Sequence, residues 1–298
     1  MIEVNGISKR YGTVEALKDI SFEVPRGELF GLIGPDGAGK TTLFRLLVTL
    51  LLPDAGTLRF DGHDVVKDYR YVRRNVGYMP GTFSLYQDLT VRENLEFFAS
   101  VFRTTVEANY ELIRDIYVML EPFAKRRAGA LSGGMKQKLA LCCALIHKPL
   151  VLVLDEPTTG VDAVSRREFW TMLRKLKNEG ITILVSTAYM DEAALCDRVG
   201  LIQGGGLMRA GAPAEITRSF DRPLFAATGS DAYALLRALR ESPGVLAVQP
   251  FGTALHVTGD TAIDVAALQQ HLNTQGMHDV ELQRIEPGIE DLFMHLMR

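Results

Sequence analysis

The 298-residue sequence has little of several features that would mark a specialised class of protein. It has three cysteines, of which Cys142 and Cys143 are adjacent and Cys196 is remote. No disulfide framework is expected, and the thiols are predicted to be small apolar fillers in a reducing compartment. The longest apolar run, 46–52, is interrupted by Thr49, whereas a membrane helix needs about 20 apolar residues. We therefore expect no membrane span, and the N-terminal MIEVNGISKRYG has no apolar core of a secretion signal.

An excess of one charge is also missing. The chain has 33 basic and 36 acidic residues, which gives a formal net charge of -3. A protein that binds nucleic acid through a basic surface needs a strong positive balance, so the composition argues against that class. Hydrophobic residues make up 47% of the chain, as in ordinary globular proteins. At roughly 150 residues per domain, the length suggests two domains.

The apolar runs predict strands that alternate with helices. Residues 28–33, 150–154 and 181–185 are short apolar runs, typical of parallel strands covered on both faces. Residues 41–52 are predicted to form a helix that ends at Pro53. Alternation of this kind indicates a doubly wound α/β sheet. Beyond a boundary near residue 220, the order strand, helix, strand, strand, helix, strand predicts a small α+β ferredoxin-like domain over 221–298.

A glycine-rich segment, Gly34-Pro-Asp-Gly-Ala-Gly-Lys40-Thr41, joins the first predicted strand to the first predicted helix. It fits the pattern G-x-x-x-x-G-K-S/T, in which backbone N–H groups and a helix N-terminus surround phosphates. Lys40 is predicted to reach the β- and γ-phosphates, and Thr41 to bind Mg²⁺ through its hydroxyl. The alternative is a glycine-rich turn without a ligand, which the flanking strand and helix disfavour. The predicted phosphate-binding residues are Gly34, Pro35, Asp36, Gly37, Ala38, Gly39, Lys40, Thr41 and Thr42.

Two carboxylates, Asp155 and Glu156, follow the apolar run 150–154. The carboxyl ends of parallel strands form the ligand-binding edge of a sheet. Asp155 is predicted to help hold Mg²⁺ through water, and Glu156 to orient or activate an attacking water. The alternative is that the acids only end the strand, which the phosphate loop upstream disfavours.

The segment Leu131-Ser-Gly-Gly-Met-Lys-Gln137 on its own indicates a loop and a helix start. Together with the two motifs above, it resembles the signature motif of ABC-type ATPases, and the resemblance extends over residues 2 to about 217. The resemblance implies a P-loop NTPase fold of ABC-ATPase type over residues 1–220. This fold has a mostly parallel sheet, an antiparallel β subdomain and a helical subdomain, and the helical subdomain would lie at about 88–135. The resemblance also implies that two ATPase domains meet head to tail around ATP. Ser132 and Gly134, with Gly133 between them, would then contact the γ-phosphate of a nucleotide bound by the partner.

Other positions match the family. Tyr11 lies where the family stacks an aromatic ring on adenine, although it could also be a turn residue that covers a strand edge. Asp162 matches the loop that crosses the dimer interface. The segment 76–95 and the later Glu286-Pro-Gly-Ile-Glu-Asp-Leu-Phe resemble the daunorubicin and drug-exporter branch, in which the ATPase powers a separate membrane permease. The resemblance places residues around 84–89 near that permease. The alternative for Phe83, Leu85 and Tyr86 is local packing.

Three positions depart from the family pattern. Gly81 replaces a glutamine that would contact Mg²⁺ and the attacking water, and Ala188 replaces a histidine that would donate to the γ-phosphate. The loss of one preorganised donor of this kind lowers a rate by about 10²–10³-fold. Asp36, where asparagine is usual, is a milder change. A slow site of its own, completed by a better-equipped partner, is one hypothesis; tolerance of both changes is the other.

The sequence thus predicts a Mg²⁺-dependent ATPase subunit of an exporter. We expect it in the cytoplasm, on the inner face of the membrane, as a homodimer or heterodimer that binds a permease and no nucleic acid. The alternatives are a nucleotide-gated dimerisation switch with negligible turnover, a degenerate partner of a second ATPase, and a soluble relative that acts in DNA repair or translation. Four histidines, His256, His271, His278 and His295, are expected to be scattered on the surface. The small domain would bind a regulatory ligand or contact a partner.

Overall fold

The computed structural model describes residues 1–82 and 84–297, so Phe83 and the predictions made for it lie outside the described residues. The chain forms two compact units, Met1–Pro213 and Ala214–Arg298. Among the described residues, the helices are all too short or too polar to cross a membrane.

The first unit contains two sheets and the helices that pack on them. Its strands are β1 (Ile2–Tyr11), β2 (Val14–Val24), β3 (Leu29–Ile33), β4 (Ala55–Phe60), β5 (His63–Asp64), β6 (Val76–Met79), β7 (Val151–Asp155), β8 (Thr182–Thr187), β9 (Arg198–Gln203) and β10 (Gly206–Gly211). Its helices are α1 (Lys40–Leu47), α2 (Tyr69–Asn75), α3 (Val91–Val101), α4 (Tyr110–Tyr117), α5 (Gly133–Leu145) and α6 (Ala163–Asn178). Helix α7 (Pro213–Arg218) begins at the division between the units.

The central sheet has the strand order β10-β9-β3-β8-β7-β6. Strands β9 to β6 are parallel, and β10 pairs with β9 in the antiparallel direction. Strands β3, β7 and β8 are buried along their whole length, as their uninterrupted apolar runs predict. The parallel arrangement brings the ends of β3, β6 and β7 to one edge of the sheet.

A second sheet, β2-β1-β4-β5, is antiparallel. One continuous apolar core joins Ile7 of this sheet, Phe44 of α1, and Val153 and Leu184 of the central sheet. Helix α1 therefore packs between the two sheets. Because both of its sides are covered, the loop that leads into α1 has a fixed position.

The predicted helix over 41–52 was wrong at its end. Helix α1 ends at Leu47, and Thr49 has a positive φ of 64°, a conformation that is incompatible with a continuing right-handed helix. The N–H of Leu50 turns back to the carbonyl of Arg45 at 2.8 Å. Leu50 and Leu52 are left mostly exposed. Their apolar character therefore reflects a surface rather than the buried face of a helix.

The second unit has the expected element order: β11 (Leu224–Thr228), α8 (Ala232–Glu241), β12 (Val245–Phe251), β13 (Ala254–Gly259), α9 (Val265–Thr274), β14 (Glu281–Arg284) and α10 (Ile289–Leu296). Its sheet has the order β12-β13-β11-β14, and every pair is antiparallel. This is the ferredoxin-like arrangement. Leu239 of α8, Leu272 of α9 and Val257 of β13 share its core. Pro250 lies in β12, which is an edge strand of this sheet. Proline is tolerated there because an edge strand pairs on one side only, so the N–H that proline lacks is not needed.

One of the four histidines departs from the expected surface position. The side chain of His256 is 12% exposed, and its Nδ1 lies 2.6 Å from a carboxylate oxygen of the buried Asp291 in α10. The ring also stacks on Phe251 at a centroid distance of 4.2 Å. His256 therefore connects β13 to the C-terminal helix and has a packing role.

Candidate nucleotide site

A cavity of about 460 Å³ opens where β3, β6 and β7 end. It is lined by Tyr11, Ala16, Asp36, Gly37, Ala38, Gly39, Lys40, Thr41, Thr42, Arg45, Pro80, Gly81, Thr82, Asp155 and Glu156. The structure thus brings together most of the residues that the phosphate-loop and Asp-Glu motifs predicted. Tyr11, at the end of β1, forms part of the same wall and is 45% exposed.

The phosphate loop is built around the buried ammonium of Lys40, which is 3% exposed. Its Nζ donates to the carbonyls of Gly34 and Pro35 at 2.8 and 3.0 Å and lies 3.0 Å from Glu156 Oε1. These three acceptors match the three N–H donors of a lysine. Gly34 and Pro35 therefore fix Lys40 through their carbonyls and do not line the cavity.

Two glycines of this loop are required because a larger residue would clash with neighbouring backbone. A Cβ at Gly34 would lie 2.1 Å from the carbonyl oxygen of Ile202. Gly39 has a φ of 107°, and a Cβ there would lie 2.5 Å from the carbonyl oxygen of Ala16. Larger residues at either position would push the loop away from its neighbours, so the tight turn before α1 depends on glycine.

The two carboxylates at the end of β7 are held by Ser186 of the neighbouring strand β8. Asp155 is 2% exposed, and its Oδ1 accepts a hydrogen bond from the Ser186 hydroxyl at 2.6 Å. The backbone N–H of Glu156 donates to the Ser186 carbonyl at 3.1 Å. Glu156 has a backbone φ of 48°. A positive φ is rare for a side chain of this kind and occurs often at functional sites. The geometry directs the Glu156 carboxylate back to Lys40.

The donor set on the cavity wall fits magnesium bound together with phosphate. Mg²⁺ is usually held by one or two carboxylates, waters and substrate phosphate oxygens. Asp155 and the Thr41 hydroxyl supply one carboxylate and one hydroxyl on the same wall. Residues 1–82 and 84–297 contain no cluster of three or more His, Cys, Asp or Glu residues that could hold a metal ion alone. Any Mg²⁺ here would therefore depend on the nucleotide.

The other predicted site residues, Ser132, Gly133, Gly134 and Asp162, do not line this cavity and form what we call the signature surface. The Ser132 Oγ accepts from the N–H of Met135 at the start of α5, and Ser132 and Gly133 are exposed. Asp162 accepts from the N–H of Ser165 at 3.0 Å at the start of α6, and hydrogen bonds from Ser165 lower the pKa of Asp162. A Cβ at Gly134 would lie 2.6 Å from Ser165 Oγ, so the two helix N-termini are in close contact.

The three departures from the family pattern occupy different positions. Gly81 lies on the cavity wall, and a Cβ there would be 3.1 Å from the Asp155 carbonyl oxygen. Ala188 directly follows β8 and is half-buried. The side chain of Asp36 is 91% exposed and only approaches Lys40 Nζ, at 4.0 Å. Neither Gly81 nor Ala188 supplies a side-chain donor to a phosphate.

Sequence reasoning did not single out several residues of the site. Arg45 and Thr82 line the cavity, and Ser186 holds Asp155. The signal for Ser186 was its position, a polar residue inside the otherwise apolar run of β8. The signal for Arg45 was its spacing of four residues from Thr41, which puts both on one face of α1.

A buried carboxylate also joins three loops around the site. Glu192 is 1% exposed, and its Oε2 accepts from the Thr158 hydroxyl at 3.2 Å. Its Oε1 lies 4.0 Å from Nε of Arg166 in α6, and the Arg166 guanidinium lies over the Tyr189 ring at 4.9 Å. The segments after β7 and after β8 are thereby tied to the start of α6.

Comparison with known proteins identifies the family. The model of a family described as "ABC transporter" matches residues 17–159. The chain is 35% identical over 301 residues to Nod factor export ATP-binding protein I of Rhizobium sp. (strain N33), covering 99% of this chain and 96% of that protein. This chain belongs to the ABC transporter family. The identity to the probable multidrug ABC transporter ATP-binding protein YbhF of Escherichia coli (strain K12) is 38% over 307 residues, covering 100% of this chain and 52% of YbhF. The chain therefore spans about half the length of that relative.

Solved structures of ABC proteins share the fold of the first unit. An ATP-binding subunit of an ABC transporter superposes with a TM-score of 0.67 at 29% identity, covering 74% of this chain and 93% of that chain. A dimeric ATP-binding cassette in a post-hydrolysis state with ADP and Pi superposes with a TM-score of 0.64 at 25% identity, covering 71% of this chain and 98% of that chain. The predicted family and fold class are confirmed by these likenesses.

Proposed function

We propose that this chain binds and hydrolyses ATP as the energising subunit of an ABC exporter and drives a separate permease through dimer closure. The observation that carries the proposal is the single cavity that joins Lys40, Thr41, Asp155 and Glu156. The names of two relatives, one a probable multidrug transporter protein and one a Nod factor export protein, support export as the direction. The transported compound would contact the permease.

Five residues that line the cavity have a role in the proposed reaction. Lys40 binds the β- and γ-phosphates, which compete with Glu156 Oε1 for its ammonium. Glu156, once released from Lys40, orients the attacking water and accepts its proton. Asp155 and Thr41 would hold Mg²⁺, which neutralises phosphate charge when it is bound. The ring of Tyr11 stacks on the adenine at the outer end of the cavity.

The signature surface would complete the site of a second ATPase subunit. Ser132 and Gly133 are exposed, and they stand at the N-terminus of α5, where N–H groups and the helix dipole attract anions. Because this surface lies outside the chain's own cavity, a second chain is needed to bring the two half-sites together. A second copy of this chain, or a related ATPase, would provide the partner.

A second cavity, of about 450 Å³, is the proposed docking groove for the permease. Its wall is largely apolar and includes Leu50, Leu85, Phe98, Val101, Phe102 and His147. Phe102 and His147 stack at a centroid distance of 3.7 Å. His147 Nε2 donates to the Val76 carbonyl at 3.0 Å, burial lowers the pKa of the ring to about 4, and Nδ1 is left as a buried acceptor with no partner among the described residues. A segment with apolar side chains fits this groove.

The loop next to the groove is rigidly held. Asn94 is fully buried, its Oδ1 accepts from the Tyr86 N–H at 3.0 Å, and its Nδ2 donates to the carbonyls of Tyr86 and Thr90 at 3.0 and 2.9 Å. Leu85 is buried, and Tyr86 is 50% exposed with its ring against Phe97. In this segment, Leu85 therefore serves local packing, while the exposed part of Tyr86 can still contact a partner. Docking here would keep the chain at the inner face of the membrane.

Replacing Val101 with aspartate tests the groove. Val101 is 57% exposed in the groove, so the change should disturb the free protein little, whereas a bound segment would bury the new charge without a partner. We expect binding to membranes that contain the permease to fall about 10-fold or more, as measured by co-sedimentation of the tagged chain with vesicles. The matched control is Val118→Asp, at a residue that is 51% exposed and outside the groove. Equal losses in the two variants would contradict docking in the groove.

Gly81 and Ala188 favour a second candidate function, a nucleotide-gated dimerisation switch with slow turnover. Restoring the usual residues, Gly81→Gln and Ala188→His, should raise ATP turnover by about 10²-fold because each supplies a preorganised donor. The Cβ that Gly81→Gln introduces would start 3.1 Å from the Asp155 carbonyl oxygen, so a small shift is needed. Phosphate release measures the effect, and unfolding temperatures check that each variant folds. An unchanged turnover in the folded double variant would exclude slow hydrolysis caused by these two residues.

A further inference from the structure

Arg45 is a cation on the wall of the nucleotide cavity that the roles assigned above do not use. It lies on α1, four residues after Thr41, and therefore on the same helix face as the proposed Mg²⁺ ligand. Among residues 1–82 and 84–297, Arg45 has no carboxylate within ion-pair distance. A guanidinium without a carboxylate partner on the wall of a cavity is suited to an anion from outside the chain.

Arg45 shares the wall of the cavity with Asp155, Pro80 and Gly81. The charges of Asp155 and Arg45 both affect Tyr78 of β6, two residues before Pro80: burial and Asp155 raise the pKa of Tyr78, while Arg45 acts in the opposite direction. The position of Arg45 one turn after Thr41, on the same wall as Asp155, therefore puts a cation on the side of the cavity proposed for phosphate and Mg²⁺.

The other donors at this end are limited. Lys40 Nζ already donates to two backbone carbonyls and forms an ion pair with Glu156. Gly81 has no side chain to donate, and Ala188 has none that is polar. A terminal phosphate that carries two negative charges would therefore meet fewer side-chain donors here than the family pattern provides, unless another residue contributes.

We propose that Arg45 binds the terminal phosphate of ATP and compensates in part for the missing glutamine at Gly81, which makes Arg45 a residue that selects ATP over ADP. The inference rests on the proposed ATP-binding function. A guanidinium presents two parallel N–H donors that match phosphate oxygens, and it remains charged at every physiological pH.

The test compares how tightly wild type, Arg45→Ala and Arg45→Lys bind ATP and ADP. Affinity is measured by calorimetry in the presence of Mg²⁺, so the readout does not depend on the rate of hydrolysis. We expect Arg45→Ala to weaken ATP binding about 10-fold or more and ADP binding by less than about twofold. Arg45→Lys should retain part of the preference because it keeps the charge but loses the bidentate geometry. The matched control is Arg240→Ala, at an exposed arginine of α8 in the second unit.

A double-mutant cycle with Gly81→Gln tests whether Arg45 takes the place of glutamine. Groups that act on the same terminal phosphate, its Mg²⁺ and its attacking water have non-additive effects, so Gly81→Gln should restore ATP affinity at least about threefold more in Arg45→Ala than in wild type. Equal losses of ATP and ADP affinity in Arg45→Ala, no loss of either, or an identical effect of Gly81→Gln in both backgrounds would overturn the assignment. Wild-type protein that binds neither nucleotide would instead overturn the proposed function itself.

Discussion

Replacing Glu156 with glutamine is expected to lower ATP turnover by at least about 10²-fold while ATP still binds. The amide keeps the shape of the carboxylate but cannot accept a proton from the attacking water. It also removes the negative charge that lies 3.0 Å from Lys40 Nζ in the free protein, so phosphates no longer compete with a carboxylate for Lys40. ATP affinity should therefore stay the same or rise.

Two measurements separate the effect of Glu156→Gln on chemistry from an effect on binding. Phosphate release gives the turnover, and size-exclusion chromatography with ATP shows whether the variant accumulates as a dimer that cannot reopen. The matched control is Glu179→Gln, at an exposed glutamate after α6 that should behave like wild type. A variant with wild-type turnover would remove Glu156 from the proposed mechanism and leave only its pairing with Lys40.

Replacing Lys40 with alanine should weaken ATP binding by about 10²-fold and abolish measurable turnover. Lysine hydrogen bonds to phosphate are charge-assisted, and each is stronger than a neutral one. The substitution has a second effect: it leaves Glu156 without its cation, so an uncompensated carboxylate faces the incoming phosphates. Affinity measured with a fluorescent ATP analogue checks the first effect.

A second variant checks the effect of the unpaired Glu156. Lys40→Ala combined with Glu156→Gln removes the repulsion, and we expect it to bind ATP several-fold more tightly than Lys40→Ala alone. Lys67→Ala, at an exposed lysine outside the cavity, is the matched control. Should Lys40→Ala bind ATP as well as wild type, the phosphate loop would not be the nucleotide site, and the proposed function would fail with it.

Local sequence patterns were sufficient to predict the fold and most of the residues that line the first cavity. The phosphate loop predicted the Lys40 environment because a helix start, a glycine turn and a preceding strand are neighbours along the chain. Asp155 and Glu156 were predicted because residues at the carboxyl end of a buried parallel strand lie at the ligand-binding edge of the sheet. The element order of the second unit likewise predicted its ferredoxin-like topology.

The features that were missed depend on contacts between distant segments. Ser186 supports Asp155 because β8 pairs with β7 in one particular register, which the sequence does not state. Glu192 is buried because it meets Thr158 and approaches Arg166, and nothing in its own segment marks it. The early end of α1 depends on the left-handed Thr49, since the apolar pattern alone would continue the helix.

Because Gly134 and Ser165 are in contact, the starts of α5 and α6 cannot move independently of each other. A shift at the start of α6 would therefore displace Gly134 and, with it, the exposed Ser132.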